Sequence, residues 1–342
     1  MIRDLVVAPD GGVSFSFLLS REDPATLVRE ARNAVKAIAG VRQDGVKITV
    51  IDPAGPAKAT HAPPGAGPQS AGSIPAQQPR EQANLGRIIA VSSGKGGVGK
   101  STVSANLAIA LAQQGHRVGL MDADIYGPNI PRMMGVDEKP PVTGGKIQPL
   151  EAHGVKLLSL GFIVERDQPA IWRGPIIMKI IQQFLRDVDW GDLDYFLVDL
   201  PPGTGDAQLS LAQTIHLHGA LIVTTPQEVA IGDSLRGAKM FERVGTKVLG
   251  VVENMSYYIC EHCGERSELF LSGGGARLAA ELGVPLLGQI PLQAGVAQLA
   301  DGGRPVVVAQ PDSPAGRALA DTARRVAELL QATRAGPLPI AR

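Results

Sequence analysis

The sequence predicts an α/β architecture, a mostly parallel sheet with helices on both faces, preceded by a small α+β domain. Three observations carry that expectation. Short apolar runs alternate with helical patterns through most of the chain; the stretch from Pro53 to about Asn84 loses almost every large apolar residue; and a glycine-rich turn joins the first apolar run after it to a helix. Alternation of this kind marks a parallel sheet, because each parallel pair needs a crossover long enough to hold a helix.

The elements follow in chain order. Leu5-Val6-Val7 is apolar, and Val13, Phe15 and Phe17 alternate as one face of a strand. Pro24 opens a helix whose apolar face is Leu27, Ala31, Val35 and Ile38, and Gly40 ends it. Val46–Ile51 is a further strand. Residues 1–52 read as a compact α+β domain with nothing catalytic in it. Residues 53–84 are mostly Pro, Ala, Gly, Gln and Ser, too poor in apolar surface to offset their ordering entropy, and read as a flexible linker.

Residues 85–342 form the large domain. Its strands are read at Ile88–Val91, Val118–Met121, Tyr195–Val198, Ala220–Thr224, Val248–Val252 and Leu286–Ile290. Its helices are read at Ser101–Gln114 and around Ile176–Val188, Gln208–Ile215, Ser234–Arg243 and Gly274–Leu282. Sheets of this class bind ligands at the carboxyl ends of their strands.

The 33 basic and 33 acidic residues cancel, so no strongly basic field draws in nucleic acid or an anionic membrane. No apolar run approaches the roughly 18 residues of a membrane span, and Met1-Ile2-Arg3-Asp4 lacks the layout of a secretory signal. The expectation is a cytoplasmic protein without nucleic-acid or membrane partners. Both cysteines, Cys260 and Cys263, stand in one C-x-x-C, which in a reducing compartment reads as metal or redox chemistry.

Directly after the first strand of the large domain come Gly94, Lys95, Gly96, Gly97, Val98, Gly99, Lys100, Ser101 and Thr102, which satisfy G-x-x-x-x-G-K-[ST] between a strand and a helix. The glycines let successive N–H groups turn inward around an anion, and the helix N-terminus adds partial positive charge. In such a loop Lys100 reaches the β- and γ-phosphates of ATP and the Ser101 hydroxyl ligates Mg²⁺. Asp122, Asp124 and Asp199 stand at the ends of the next two strands read, within reach of those phosphates. After Asp199 comes Leu200–Asp206, a rigid-then-flexible stretch suited to sensing the γ-phosphate.

Lys95, a second lysine inside the loop, resembles the deviant P-loop class of MinD, ParA, the nitrogenase iron protein and the Mrp/ApbC proteins. Longer stretches narrow the resemblance: Asp122–Asn129 (DADIYGPN), Trp172–Pro175 (WRGP), Asp199–Asp206 (DLPPGTGD), Thr224–Gln227 (TTPQ) and Glu253–Ser256 (ENMS), together with Cys260–Cys263. From Arg87 to about Gln310 the chain resembles the Mrp/ApbC/Nbp family of iron–sulfur cluster carriers.

That resemblance implies an ATPase acting as a homodimer, which carries a [4Fe–4S] cluster from an assembly scaffold to recipient apo iron–sulfur proteins. It implies that Lys95 reaches the partner's ATP, that Asp124 orients the attacking water, and that Asp122 and Asp199 hold Mg²⁺ through its water shell. It further implies that Asn254 recognises adenine and that the segment around Pro291 flanks the base. The N-terminal domain resembles the small iron–sulfur-assembly domain often fused ahead of this ATPase, without its leading helix and without its cysteine, where Ser20–Asp23 stand.

On spacing alone the C-x-x-C leaves four readings open: an iron–sulfur site, a zinc knuckle, a redox dithiol or two idle cysteines. His262 between the cysteines is read as solvent-facing, and His216 and His218 as surface residues. The rival to a carrier is a positioning ATPase of the MinD or ParA kind, a membrane- or DNA-associated switch. Its membrane form needs an amphipathic C-terminal helix, and Leu319, Ala323, Val326 and Leu330 do fall at helical spacing. Packing of that stripe onto the protein's own core is the expected arrangement, and the rival leaves the paired cysteines without a task.

Overall fold

The computed structural model describes residues 2–8, 10–18, 26–38, 40–42, 45–51, 84–125, 127–162, 174–260 and 262–332. The chain divides into two compact units, Met1–Pro75 and Ala76–Arg342. Pro24, Ser20–Asp23, Trp172, Arg173 and all of 53–84 but Asn84 lie outside the described residues.

The first unit comprises β1 (Ile2–Val7), β2 (Val13–Leu18), α1 (Thr26–Lys36) and β3 (Val46–Ile51). Its sheet runs β1-β2-β3, the first pair antiparallel and the second parallel. Alternation along β2 turns Val13 and Phe15 inward, where Val46 of β3 joins them. Helix α1 stops at Lys36, so Ile38 lies beyond it and is exposed instead of completing the apolar face. The chain there is already turning toward Gly40, whose φ is +88°.

The second unit begins with β4 (Arg87–Ser92), α2 (Lys100–Gln113), β5 (Val118–Asp122) and α3 (Ile130–Met134). Two small hairpins follow, β6 (Val142–Thr143) with β7 (Lys146–Ile147), then β8 (Leu150–Ala152) with β9 (Val155–Ser159). Next come α4 (Gly174–Asp187), β10 (Tyr195–Asp199), α5 (Asp206–Thr214), β11 (Gly219–Thr224), α6 (Glu228–Arg243) and β12 (Val248–Glu253). The remainder is β13 (Tyr258–Ile259), β14 (Arg266–Ser267), α7 (Gly274–Leu282), β15 (Leu286–Gln289), α8 (Val296–Asp301), α9 (Val306–Ala309) and α10 (Pro314–Ala332).

Eight strands form one sheet in the order β15-β12-β11-β4-β10-β5-β9-β8, parallel throughout except for the edge pair β8–β9. Each central strand is apolar on both faces. Ile89 and Val91 of β4 enter a core with α2 and α10, while Ile88 and Ala90 enter a second core with α4, α5, α6 and α7. Helix α2 is buried nearly all round, which explains its lack of an amphipathic pattern. The C-terminal stripe Leu319, Ala323, Val326 and Leu330 is buried on α10, which packs against α2.

Two departures from the sequence reading have local causes. Helix α6 starts at Glu228, six residues before the expected Ser234, because Ala230 and Ile231 bury its first turn despite Gly232. The β8–β9 hairpin turns on His153 and Gly154, both at positive φ, a two-residue turn that histidine does not advertise.

Candidate functional site

Strand β4 is central, and the loop leaving its carboxyl end is the glycine-rich segment 94–102. Val103 N–H donates to Gly99 O at 3.0 Å, so helix α2 starts within the loop. No side chain caps that helix, whose N-cap Gly99 takes φ +82°. Its first N–H groups are therefore available to an anion. A cavity of about 360 Å³ opens on this loop, with Lys95, Lys100, Ser101, Asp124 and Asn129 on its walls. Gly94 packs against the α6 backbone at Asp233 and Ser234, and Gly96 and Gly97 face open space.

Lys100 and Ser101 converge on one carboxylate. Lys100 Nζ and Ser101 Oγ each donate to Asp199 Oδ2 at 2.7 Å, and Ser104 Oγ donates to Asp199 Oδ1 at 2.6 Å. Asp199 and Lys100 are both buried. Asp124 stands on the other side of Lys100, 3.8 Å from Nζ, and accepts from Gly127 N–H at 3.2 Å. Asp122 lies deeper, accepting from Ser159 Oγ at 2.9 Å, Asp124 N–H at 3.1 Å and Ile130 N–H at 3.3 Å. Burial, with Asp199 beside it, pushes the Asp122 carboxyl well above the ordinary carboxylate range. The Ser101 hydroxyl and Asp199 carboxylate are hard oxygen donors in contact, the donor set that Mg²⁺ prefers.

Two buried positions were not read from the sequence. Ser104 is three residues after Ser101 on the same helical face, a spacing that would have flagged it. Gln208 of α5 accepts from Ser92 Oγ at 3.3 Å and donates to the Pro201 carbonyl, tying the segment after Asp199 to the end of β4. Backbone bonds from Leu200 N–H to Val91 O and from Gly203 N–H to Ser93 O, both 3.0 Å, reinforce that tie.

Asn254 is buried beneath the same loop and donates through Nδ2 to the Val98 carbonyl at 2.8 Å. A Cβ at Gly99 would stand 2.2 Å from that nitrogen, so glycine is needed there for contact as well as for its positive φ. Six residues after Asn254, Cys260 enters a hairpin made by β13 and β14. Cys260 N–H donates to Glu265 O at 2.9 Å and Gly264 N–H to Cys260 O at 2.8 Å, closing the C-x-x-C as a tight turn. Cys260 is half-buried, while Cys263 and His262 are exposed. Among the described residues no three or more His, Cys, Asp or Glu side chains are grouped to hold a metal. The His216 and His218 rings meet edge to face at 5.5 Å, and His218 Nδ1 accepts from Ile88 N–H at 3.0 Å.

A central parallel strand leading through this loop into a buried helix defines a P-loop NTPase. The family model described as "ParA: NUBPL iron-transfer P-loop NTPase" matches residues 84–327, and the chain belongs to that family. An iron–sulfur cluster carrier protein of Synechocystis is 47% identical over 338 residues, 96% of this chain and 90% of its own length. The mitochondrial iron–sulfur protein required for NADH dehydrogenase of Arabidopsis thaliana is 49% identical over 252 residues, 73% of this chain and 80% of its own. Among solved structures, a nucleotide-binding protein of Archaeoglobus fulgidus in complex with ADP superposes with a TM-score of 0.60 at 41% identity, over 68% of this chain and 90% of that one. The cell division ATPase MinD of Pyrococcus furiosus gives 0.56 at 26% identity, over 72% of this chain and all of its own. Among the described residues no helix is long and apolar enough to cross a membrane.

Proposed function

We propose that this chain is an ATP-dependent carrier that binds an iron–sulfur cluster as a homodimer and delivers it to recipient apoproteins. The observation that carries the reading is the joining of two sites in one short segment. Asn254, against the phosphate loop, and Cys260, in an exposed thiol-bearing turn, lie six residues apart at the end of β12. Relatives of the same family carry the name iron–sulfur cluster carrier protein.

The residues divide the work as follows. The loop N–H groups and Lys100 bind the phosphates, Ser101 and Asp199 hold Mg²⁺ with Asp122 behind them, and Asp124 orients the attacking water. Mg²⁺ supplies charge neutralisation on the phosphate oxygens. Asn254 faces the adenine side, and Lys95 reaches the partner's nucleotide, so that slow hydrolysis accompanies closure of the dimer.

The cargo is a [4Fe–4S] cluster, which takes four thiolates, and each chain has two cysteines. A two-fold pair of C-x-x-C turns would supply the set. The exposed apolar side chains Leu269, Phe270 and Leu271, next to the hairpin, support an interface there. The N-terminal domain, residues 1–52, ahead of a linker at 53–84, is either a partner-docking domain or a vestigial fold, and the work would be done in the cytoplasm. A membrane switch of the MinD kind is disfavoured, since the stripe it would use on α10 is buried in the core.

The test is anaerobic reconstitution followed by incubation with an apo acceptor. About two irons per chain on a dimer, lost in Cys260→Ala and in Cys263→Ala, and activation of the acceptor are expected. About four irons per chain on a monomer, or zinc in place of iron in protein purified without oxygen, would overturn it.

A further inference from the structure

Glu253 is fully buried at the last position of β12, and its carboxylate is served by neutral donors from three directions. Ser256 Oγ donates to Oε1 at 2.5 Å and Gln289 Nε2 to the same oxygen at 3.1 Å, while Gly275 N–H donates to Oε2. Gln289 Nε2 also reaches Ser256 Oγ at 3.2 Å. The N-cap of α7, Gly273, has no side-chain cap, so the carboxylate of Glu253 takes the place of one. A Cβ on Gly275 would fall 2.8 Å from Oε2, so this contact requires glycine. Among the described residues no cation pairs with Glu253. A buried carboxylate held by hydrogen bonds alone is costly to desolvate, and packing an apolar residue there would avoid that cost.

What this carboxylate holds together is the turn between the two sites. Before it, Asn254 grips the Val98 carbonyl of the phosphate loop. Within it, Met255 is held at φ +52°, a conformation that L side chains rarely adopt. After it, Ser256 N–H donates to Ile290 O at 2.9 Å, Leu292 N–H donates to Tyr257 O at 2.7 Å, and Tyr258 bridges to Leu292. The cysteine hairpin is thus hung from the extension of β15, two residues beyond Ser256. With Glu253 bonded to β15, to α7 and to Ser256 at once, the turn has no slack to absorb a displacement of Val98.

We infer that Glu253 is a positioning residue that couples the phosphate loop to the cysteine turn, so that a bound nucleotide alters the reactivity of Cys260 and Cys263. The inference rests on the nucleotide-binding part of the function proposed above. Displacement of the Val98 carbonyl passes to Asn254, and the bonded network carries it to β13 as a contiguous physical path.

The chain has two cysteines in all, so thiol modification reports on this turn alone. Full-length metal-free reduced protein is treated with an aromatic disulfide, without nucleotide and with a non-hydrolysable ATP analogue plus Mg²⁺. Direct binding measurements establish saturation for each variant. In the wild type the nucleotide should change the modification rate on the order of fivefold or more, the lower end of typical coupling between sites. In Glu253→Gln, and independently in Ser256→Ala should the former fail to fold, that response should shrink to less than about twofold.

A purely structural role would lower the thermal midpoint while leaving the nucleotide response of the folded protein intact, and that result would overturn the inference. So would a wild type that binds the analogue without any change in thiol reactivity. Failure of the wild type to bind the analogue at all would instead remove the ATPase reading on which the inference stands.

Discussion

Ser104 Oγ donates a 2.6 Å hydrogen bond to Oδ1 of Asp199, joining the second turn of α2 to the end of β10. The bond leaves Asp199 Oδ2 for Lys100 and Ser101, so one carboxylate aligns both phosphate-loop side chains. Ser104 itself is fully buried and adds no charge.

Ser104→Ala should therefore weaken Mg²⁺ affinity more than nucleotide binding measured without the metal. Losing a group that orients a metal ligand typically costs about 10–100-fold in metal affinity. The midpoint of a Mg²⁺ titration of nucleotide binding should rise by about that factor, while affinity measured in chelator changes little.

Lys100 and Lys95 should separate in their effects. Lys100→Ala removes the buried cation that bonds Asp199 at the loop and should lower ATP turnover on the order of 10²-fold or more. Lys95 is half-buried at the cavity wall, and Lys95→Ala should lower turnover at least about tenfold, as for a cation supplied in trans, with most nucleotide binding retained. Unchanged turnover in Lys95→Ala would remove the trans role.

Asp124→Asn should retain ATP binding and lose turnover on the order of 10²–10⁴-fold, the usual contribution of a positioned base. The carboxylate lies on the cavity wall near Lys100, outside the cradle of loop N–H groups. Lost binding with normal residual turnover would transfer the water-orienting role to another aspartate.

Leu319→Ala should destabilise the second unit by about 2–5 kcal/mol, as for other buried leucines, because the side chain lies in the core that α10 shares with α2. Denaturant unfolding measures this directly. Lipid vesicles should give no protection, since the stripe faces protein.

The elements most legible in the sequence were those whose cause is local. The central strands are apolar on both faces, and Gly115, Gly273 and Gly283 bracket helices within a residue or two of the expected ends. The β8–β9 hairpin and the short helices α3, α8 and α9 escaped, because few residues in each carry a periodic pattern. Of the site, the loop and its three aspartates could be named from spacing, whereas Ser104, Gln208 and Glu253 could not be assigned partners.

What the sequence by itself determined was the chemistry that short-range order dictates. A strand, a seven-residue loop and a helix must present N–H groups, Lys100 and Ser101 together, since they are adjacent in the chain. Two cysteines separated by two residues must share a turn. What only the tertiary structure decided was which distant groups meet. Asp199, 98 residues beyond Ser101, shares its carboxylate with that serine, and Asn254, 156 residues beyond Val98, holds its carbonyl. Glu253 caps a helix 22 residues further on. Such pairings depend on strand order, which places β4 between β10 and β11 and β12 beside β15. Strand order is chosen by the collective burial of two cores on opposite faces of the sheet, a balance that no local pattern encodes.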